Sequence, residues 1–285
     1  VLAAAALLVN AALWGVSWWP FRSLQAQGVH SLWATALVYL AIAAAIVALD
    51  ARSFAHVLRT RSLWPLVLGS GLANACFNWA VTVGDVIRVV LLFYLMPAWA
   101  ALLARALLGE ALTRAVVGRL LLAIAGAAVV LQPPIYGASM RPTGADLLAI
   151  AGGFGFALTS VMLRREAAQP ATSRAFAMFA GGSLVAAVVA AGLTSAGVVP
   201  AVPAPAAGWL AGLTVLALMF AAGNLCLQYG ASRLPANVTA VVMLAEVPIA
   251  AVSAIALGGG TLTTPVAVGG AMIVAAALLA VREAR

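Results

Sequence analysis

Apolar runs of about twenty residues follow one another along almost the whole chain, separated by short polar or turn-rich breaks. A hydrocarbon core about 30 Å thick takes about 20 apolar residues per crossing helix. Runs of that length predict ten spanning helices, at 2–22, 32–49, 63–83, 87–108, 114–132, 145–163, 173–196, 208–230, 236–257 and 264–281. The clearest breaks fall at 25–31, at 50–62, at 132–144 with Pro133, Pro134 and Pro142, at 164–173 and at 200–205. The pattern therefore predicts an all-α polytopic membrane protein.

Composition supports this reading. Of 285 residues, 65% are apolar and 8% charged, against roughly a quarter charged in a soluble domain. That polar surface is too small to cover a water-soluble body, so most side chains need lipid or protein around them. The formal charge of +8 could suggest a nucleic-acid partner. All fifteen basic residues are arginines, however, scattered between apolar runs without a basic face or interleaved aromatics, which excludes nucleic acid. They set topology instead, because short cytoplasmic loops hold the excess of positive charge. With the N-terminus in the cytoplasm, twelve fall inside (Arg52, Arg59, Arg61, Arg105, Arg114, Arg119, Arg164, Arg165, Arg174, Arg233, Arg282, Arg285) and three outside (Arg22, Arg88, Arg141). Both termini are then expected in the cytoplasm. Cys76 and Cys226 lie in mid-run and suggest no disulfide framework.

The chain also repeats itself. Residues 72–100 align with 223–251 at an offset of 150 to 151, pairing Asn74 with Asn224, Cys76 with Cys226, Asn78 with Gln228, Trp79 with Tyr229 and Pro97 with Pro248; further on, Gly118 pairs with Gly269. The expected organisation is two five-helix repeats, at 1–132 and 144–285. Five is odd, so the second repeat enters the membrane inverted. Inverted repeats commonly mark secondary transporters whose substrate site lies near the midplane.

Polar groups inside the apolar runs are the site candidates. Pro97 and Pro248 remove the hydrogen bonds to the carbonyls of Phe93 and Leu244, and in lipid such carbonyls must face protein, water or ligand. Asn74 with Asn78, and Asn224 with Gln228, are spaced to share a helix face; buried amides need partners, so they either join helices or line a cavity. Glu246, in VVMLAEVPI, is the one carboxylate well inside an apolar run. A carboxylate at that depth is costly and is by default a functional candidate, as a proton carrier or a partner for a substrate ammonium. Asp85 and Arg88 read as an interfacial ion pair, with Arg88 also placed to meet a substrate carboxylate. Trp14 and Trp18 share a face with Ser17 beside them, and either pack a core or wall an aromatic pocket.

The segment YLMPAWAALLARALLGEALT (94–113), with the ten helices and the duplication, resembles the EamA-like members of the drug/metabolite transporter superfamily. The second copy, LAEVPIAAVSAIALGGGTLT (244–263), keeps the proline but has Gly259, Gly260 and Thr261 where the glutamate motif would stand, leaving Glu110 unmatched as a helix-end residue. Within that family the chain is most similar to the YddG-type exporters of aromatic amino acids, on Tyr94, Pro97, Asn237, Val238 and Thr239, with Trp14 and Phe156 at matching aromatic places. The resemblance implies a bacterial inner-membrane exporter of amino acids or related metabolites, with a cavity lined by helices 1, 3, 4, 6, 8 and 9. Substrate would meet Trp14, Ser17, Trp18, Asn74, Asn78, Tyr94, Phe156, Asn224, Gln228 and Glu246.

An enzyme is not expected. His30 and His56 lie in loops, so no histidine base stands in the membrane, and no two carboxylates occur together at depth. No cofactor, metal cluster or phosphate loop is expected either. The expected partners are a small-molecule substrate, the bilayer and protons. Other cargo (drugs, purines, other metabolites) and a passive channel-like pathway remain the alternatives.

Overall fold

The computed structural model describes residues 2–109, 113–130, 142–231, 242 and 245–283. Its regular elements are all helical: α1 (Leu2–Val16), α2 (Trp18–Ala26), α3 (Ser31–Leu49), α4 (Arg52–Arg59), α5 (Trp64–Val83), α6 (Val86–Phe93), α7 (Met96–Leu108), α8 (Arg114–Val130), α9 (Gly144–Arg165), α10 (Ala171–Ser195), α11 (Ala207–Ala231), α12 (Glu246–Ala256) and α13 (Thr264–Glu283), with a 3₁₀ turn at Arg61–Leu63 leading into α5. Seven helical stretches are long and apolar enough to cross a membrane: Leu2–Ala26, Ser31–Leu49, Arg61–Val83, Val86–Leu108, Gly144–Arg165, Ala171–Ser195 and Ala207–Leu227. The other three expected spans are helical over α8, α12 and α13. Asn237, Val238, Thr239, Arg233, Glu110, Arg141 and the Leu244 carbonyl lie outside the described residues.

The ends of these helices follow their sequences. Proline in a helix interior costs about 3 kcal/mol, and the chain breaks rather than bear it. Pro20 separates α1 from α2 at Ser17, whose Oγ donates to the Trp14 carbonyl at 2.8 Å. The first expected helix is thus two pieces, a break that run length alone does not reveal. Pro97 likewise divides α6 from α7 at Tyr94–Leu95. Asp85 caps α6 by accepting from the Arg88 backbone N–H at 3.0 Å. Thr143 and Asp146 form a reciprocal capping box at the start of α9. Gly109 after α7 and Gly258 after α12 both take positive φ, +73° and +70°, the left-handed geometry that lets a helix end sharply.

Small residues decide which helices meet. Apolar side chains gain nothing by leaving lipid for one another, so close backbone packing governs helix contacts. A Cβ on Gly155 of α9 would stand 2.6 Å from the Ala73 nitrogen of α5, and one on Gly181 of α10 would overlap the Val67 carbonyl. Gly126 of α8 and Gly269 of α13 press on each other's carbonyls in the same way. Gly15 of α1 lies against Glu246 and Ile249 of α12, and Gly230 of α11 against Leu7 and Ala3 of α1. The principal pairs are accordingly α5 with α9 and α10, α3 with α10, α8 with α13, α1 with α11 and α12, and α6 and α7 with α9. Trp14 joins two buried clusters, one around α6, α8, α12 and α13, the other between α2, α3, α10 and α11.

Candidate functional site

The site is built where the break between α6 and α7 meets the start of α12. Tyr94 ends α6 and Glu246 begins α12, and each is almost fully enclosed, at 2% and 8% exposure. The tyrosine hydroxyl donates to Glu246 Oε2 at 3.0 Å. Each residue stands three or two positions before a proline at matched places in the two halves. The breaks therefore put one acid and one hydroxyl at the centre of the helix packing, where a carboxylate is otherwise expensive.

Aromatic rings extend outward from this pair. Phe93 lies edge-on to Tyr94 at 6.3 Å and to Phe156 at 5.6 Å, and tilts on Phe77 at 4.6 Å. Phe77 meets the edge of Trp14 at 6.3 Å, and Trp14 stacks on Phe220 at 4.7 Å. Five helical elements, α1, α5, α6, α9 and α11, contribute to this file of rings. Phe156 closes one end and is 40% exposed.

Trp18 is buried, and its Nε1 donates to Ser253 Oγ at 3.0 Å; Ser253 in turn donates to the Gly15 carbonyl at 3.1 Å. Ser253 follows Glu246 by seven residues, so the two share one face of α12. The arrangement thus brings together Trp14, Ser17, Trp18, Tyr94 and Glu246, with Phe156 at the edge. Ser253 escaped the sequence reading although its spacing from Glu246 was available as a signal.

Asn74 and Asn78 face elsewhere. Asn74 Oδ1 accepts from the Tyr39 hydroxyl, and its Nδ2 donates to the Ser70 carbonyl at 2.8 Å, while Ser70 Oγ donates to the Met178 carbonyl. Asn78 Nδ2 donates to Thr35 Oγ1 at 3.0 Å. Both amides join α5 to α3, and Ser70 carries the link on to α10, while Asn78 Oδ1 is buried without a hydrogen-bond partner among the described residues. Asn224 is half-buried in α11 beside Gly223, on which Asn10 packs; the Gln228 side chain lies outside the described residues.

The carbonyl of Phe93, left without a proline N–H, faces protein: Gly153 of α9 packs on it so closely that a Cβ there would stand 2.6 Å away. One expectation is corrected: Asp85 and Arg88 do not pair through their side chains. Arg88 makes a bidentate pair with Asp146, Nε to Oδ1 at 2.7 Å and Nη2 to Oδ2 at 2.8 Å, leaving its guanidinium committed to α9 rather than offered to a carboxylate. The capping box at 143–146 was the signal for Asp146.

Asp85 has another task. Its Oδ2 accepts from the Thr261 backbone N–H at 2.6 Å and from Thr261 Oγ1 at 3.3 Å, and the Val86 N–H donates to the Gly259 carbonyl at 3.0 Å. Gly259 presses on the Trp18 ring, where a Cβ would stand 2.5 Å from an indole carbon, and Gly260 lies against Asp85 and Ile87. Of the two glycines that replace the glutamate motif, Gly259 thus leaves no room for a side chain beside Trp18, and Gly260 packs tightly. Arg22 adds to this end of the molecule: its Nε donates to the Val81 carbonyl at 3.1 Å, its Nη2 donates to the Gly84 carbonyl, and its guanidinium lies 5.0 Å over Trp18. One end of the site is thereby closed by the 84–86 and 259–261 loops with Trp18 beneath them.

Residues 1–132 match the EamA-like transporter family. No curated protein matches the chain. One solved crystal structure of a protein superposes with a TM-score of 0.59 at 23% identity, covering 99% of this chain and 97% of that one. At that identity the likeness concerns the fold alone, and it extends over both halves. The family match concerns transporters of small molecules and falls on the half that carries Tyr94 and Pro97. Among the described residues no group of histidines, cysteines or carboxylates is gathered to hold a metal.

Proposed function

We propose that the chain is a secondary transporter of ten transmembrane helices, arranged as two inverted five-helix repeats, which exports amino acids, aromatic ones foremost, or related small metabolites across the inner membrane by alternating access. The observation that carries this reading is the buried contact between Tyr94 and Glu246 at two matched helix breaks. Broken helices meeting near the midplane are where transporters bind cargo. Further support comes from recurrence: α5 packs on α9 as α11 packs on α1, and α6–α7 pack on α9 as α12 packs on α1. The paired left-handed glycines after α7 and α12 repeat the same stop signal.

In this mechanism Glu246 either exchanges a proton with the pathway or receives the substrate ammonium in place of the Tyr94 hydroxyl. Trp14, Trp18 and Phe156 offer ring faces to an apolar side chain. The sequence carries no phosphate-loop motif, so the driving force in this reading is an ion gradient or the cargo's own gradient.

The test is counterflow of labelled phenylalanine into liposomes holding the purified protein, competed by a panel of unlabelled amino acids and metabolites. Saturable uptake blocked by phenylalanine, tyrosine and tryptophan in preference to threonine or lysine is the expected result. Exchange of another panel member without phenylalanine would move the cargo to that solute. Non-saturating flux without counterflow would replace the carrier by a channel.

A further inference from the structure

The α4 helix stands outside the proposed pathway and is built in three sectors. Ser53 and Val57 are buried against the protein. One sector round, Phe54 and Leu58 lie one turn apart and are 49% and 55% exposed. On the remaining side stand Arg52 and Arg59, both exposed, and exposed Arg61 follows in the next turn. Just beyond are Leu49 and Trp64, also exposed.

This element is held firmly, so its exposure is not that of a loose loop. His56 Nε2 lies 2.8 Å from Gln169 Oε1, Asp50 accepts from Thr172 Oγ1 at 2.7 Å and from the Arg52 N–H at 3.2 Å, and Ser62 Oγ donates to Glu166 Oε2 at 2.7 Å. Phe54 also rests edge-on against Phe176 at 5.8 Å. Of the two nearby carboxylates, Asp50 is thus engaged by a hydroxyl and a backbone N–H, and Glu166 by the Ser62 hydroxyl and, at 3.9 Å, by Arg165. Among the described residues, no hydrogen bond or ion pair engages the guanidinium of Arg52, Arg59 or Arg61.

We infer that α4 lies in the headgroup layer of the bilayer and that Arg52, Arg59 and Arg61 bind the phosphates of anionic phospholipids. A helix whose ends join two spanning helices, α3 and α5, sits at the depth where acyl chains give way to headgroups. An amphipathic helix at that depth buries its apolar side chains in the acyl boundary and sets its arginines among the phosphates. Phe54 and Leu58 occupy the flank next to the protein-facing one, as a helix lying flat in the interface requires. Arginine forms paired hydrogen bonds to phosphate and keeps its charge, which gives anionic over zwitterionic lipid its advantage. The inference requires only that α3 and α5 span the membrane, and it stands apart from the proposed cargo.

Native mass spectrometry on protein released from mixed phosphatidylglycerol–phosphatidylcholine nanodiscs tests the binding. The parent should retain phosphatidylglycerol preferentially, and R52Q/R59Q/R61Q should lose up to roughly a hundredfold of that preference, since each of the three arginines near an anionic surface is worth about a fivefold factor. Depth is read separately from spin labels on Phe54→Cys and Ala55→Cys, placed in a background lacking Cys76 and Cys226. The label at 54 should be reached by oxygen and the label at 55 by an aqueous nickel complex. Undiminished phosphatidylglycerol retention in the triple variant overturns the binding, and aqueous access at both labels overturns the interfacial placement. All three arginines are exposed, so thermal stability in detergent should match the parent and exclude misfolding as the cause.

Discussion

Glu246 is the residue on which the functional reading turns. Its replacement by glutamine keeps an acceptor for the Tyr94 hydroxyl while removing the charge and the titrating proton. Charge-assisted contacts contribute about 1.5–3 kcal/mol, so Glu246→Gln should reduce counterflow by about tenfold or more and flatten its pH dependence, with the fold intact by thermal shift. Unchanged rate and pH profile would remove both roles given to the acid. Glu246 was legible because a carboxylate in an apolar run is rare and costly. Its partner was not, since nothing local to Tyr94 says which of many residues in the other half will meet its hydroxyl. The amides at 74 and 78 show the converse: their spacing announced a shared face, but the face's neighbour depends on where Tyr39 and Thr35 arrive from α3. His30 offers a test outside the spans. Its Nδ1 accepts from the Leu32 N–H at 3.2 Å at the start of α3, and burial holds the imidazole below the usual histidine value. Protonation removes the acceptor and sets a cation at a helix N-terminus. A depressed folded-state value means stability present above the unfolded value, about 6.5, and lost as pH falls through the folded one. Melting temperature in detergent should drop between about pH 7 and pH 5, and His30→Asn, which can still cap, should reduce that drop.

Among helices, the contacts that decide the architecture are made by residues with no side chain. Gly155→Val would push into the backbone of α5 at Ala73 and should cost about 1–3 kcal/mol, read as a lower melting temperature. Gly118 of α8 has nothing within 4 Å of its would-be Cβ. Gly118→Ala should therefore stabilise by about 0.5–1 kcal/mol through helix propensity alone. Equal effects of the two substitutions would contradict the packing. Seven of the ten expected spans could be read from run length, whereas run length alone does not place the breaks at Ser17 and Tyr94. Which glycines touch a neighbour is invisible in a single chain, because Gly118 and Gly155 look alike in an apolar run.

For the molecule as a whole, the closed end joins loops 84–86 and 259–261, which alternating access requires to separate in each cycle. Cysteines replacing Asp85 and Thr261, in a background without Cys76 and Cys226, should be bridged by a short cleavable cross-linker. Counterflow should stop on bridging and return on cleavage. Sustained transport in the bridged protein would mean that this end is not a gate. The closure could not be read in advance: the glycines at 259 and 260 registered as a lost motif, and only the arrival of Trp18 and Asp85 gives them a purpose.

The backbone seam of α5 with α9 and α10 has a mechanical consequence. Where backbones meet this closely few rotamers are left with which to yield, so in the proposed mechanism the three helices travel as one piece, although α5 falls in the expected first repeat and the others in the expected second. α1, held by Gly230 and Gly15 to α11 and α12, is pinned across the repeats in the same manner. In the proposed mechanism the two expected repeats are therefore not themselves the levers. Each lever then borrows a helix from the other copy, and the fulcrum falls among side chains able to slide, at Trp14 on Phe77 and at Tyr94 on Glu246.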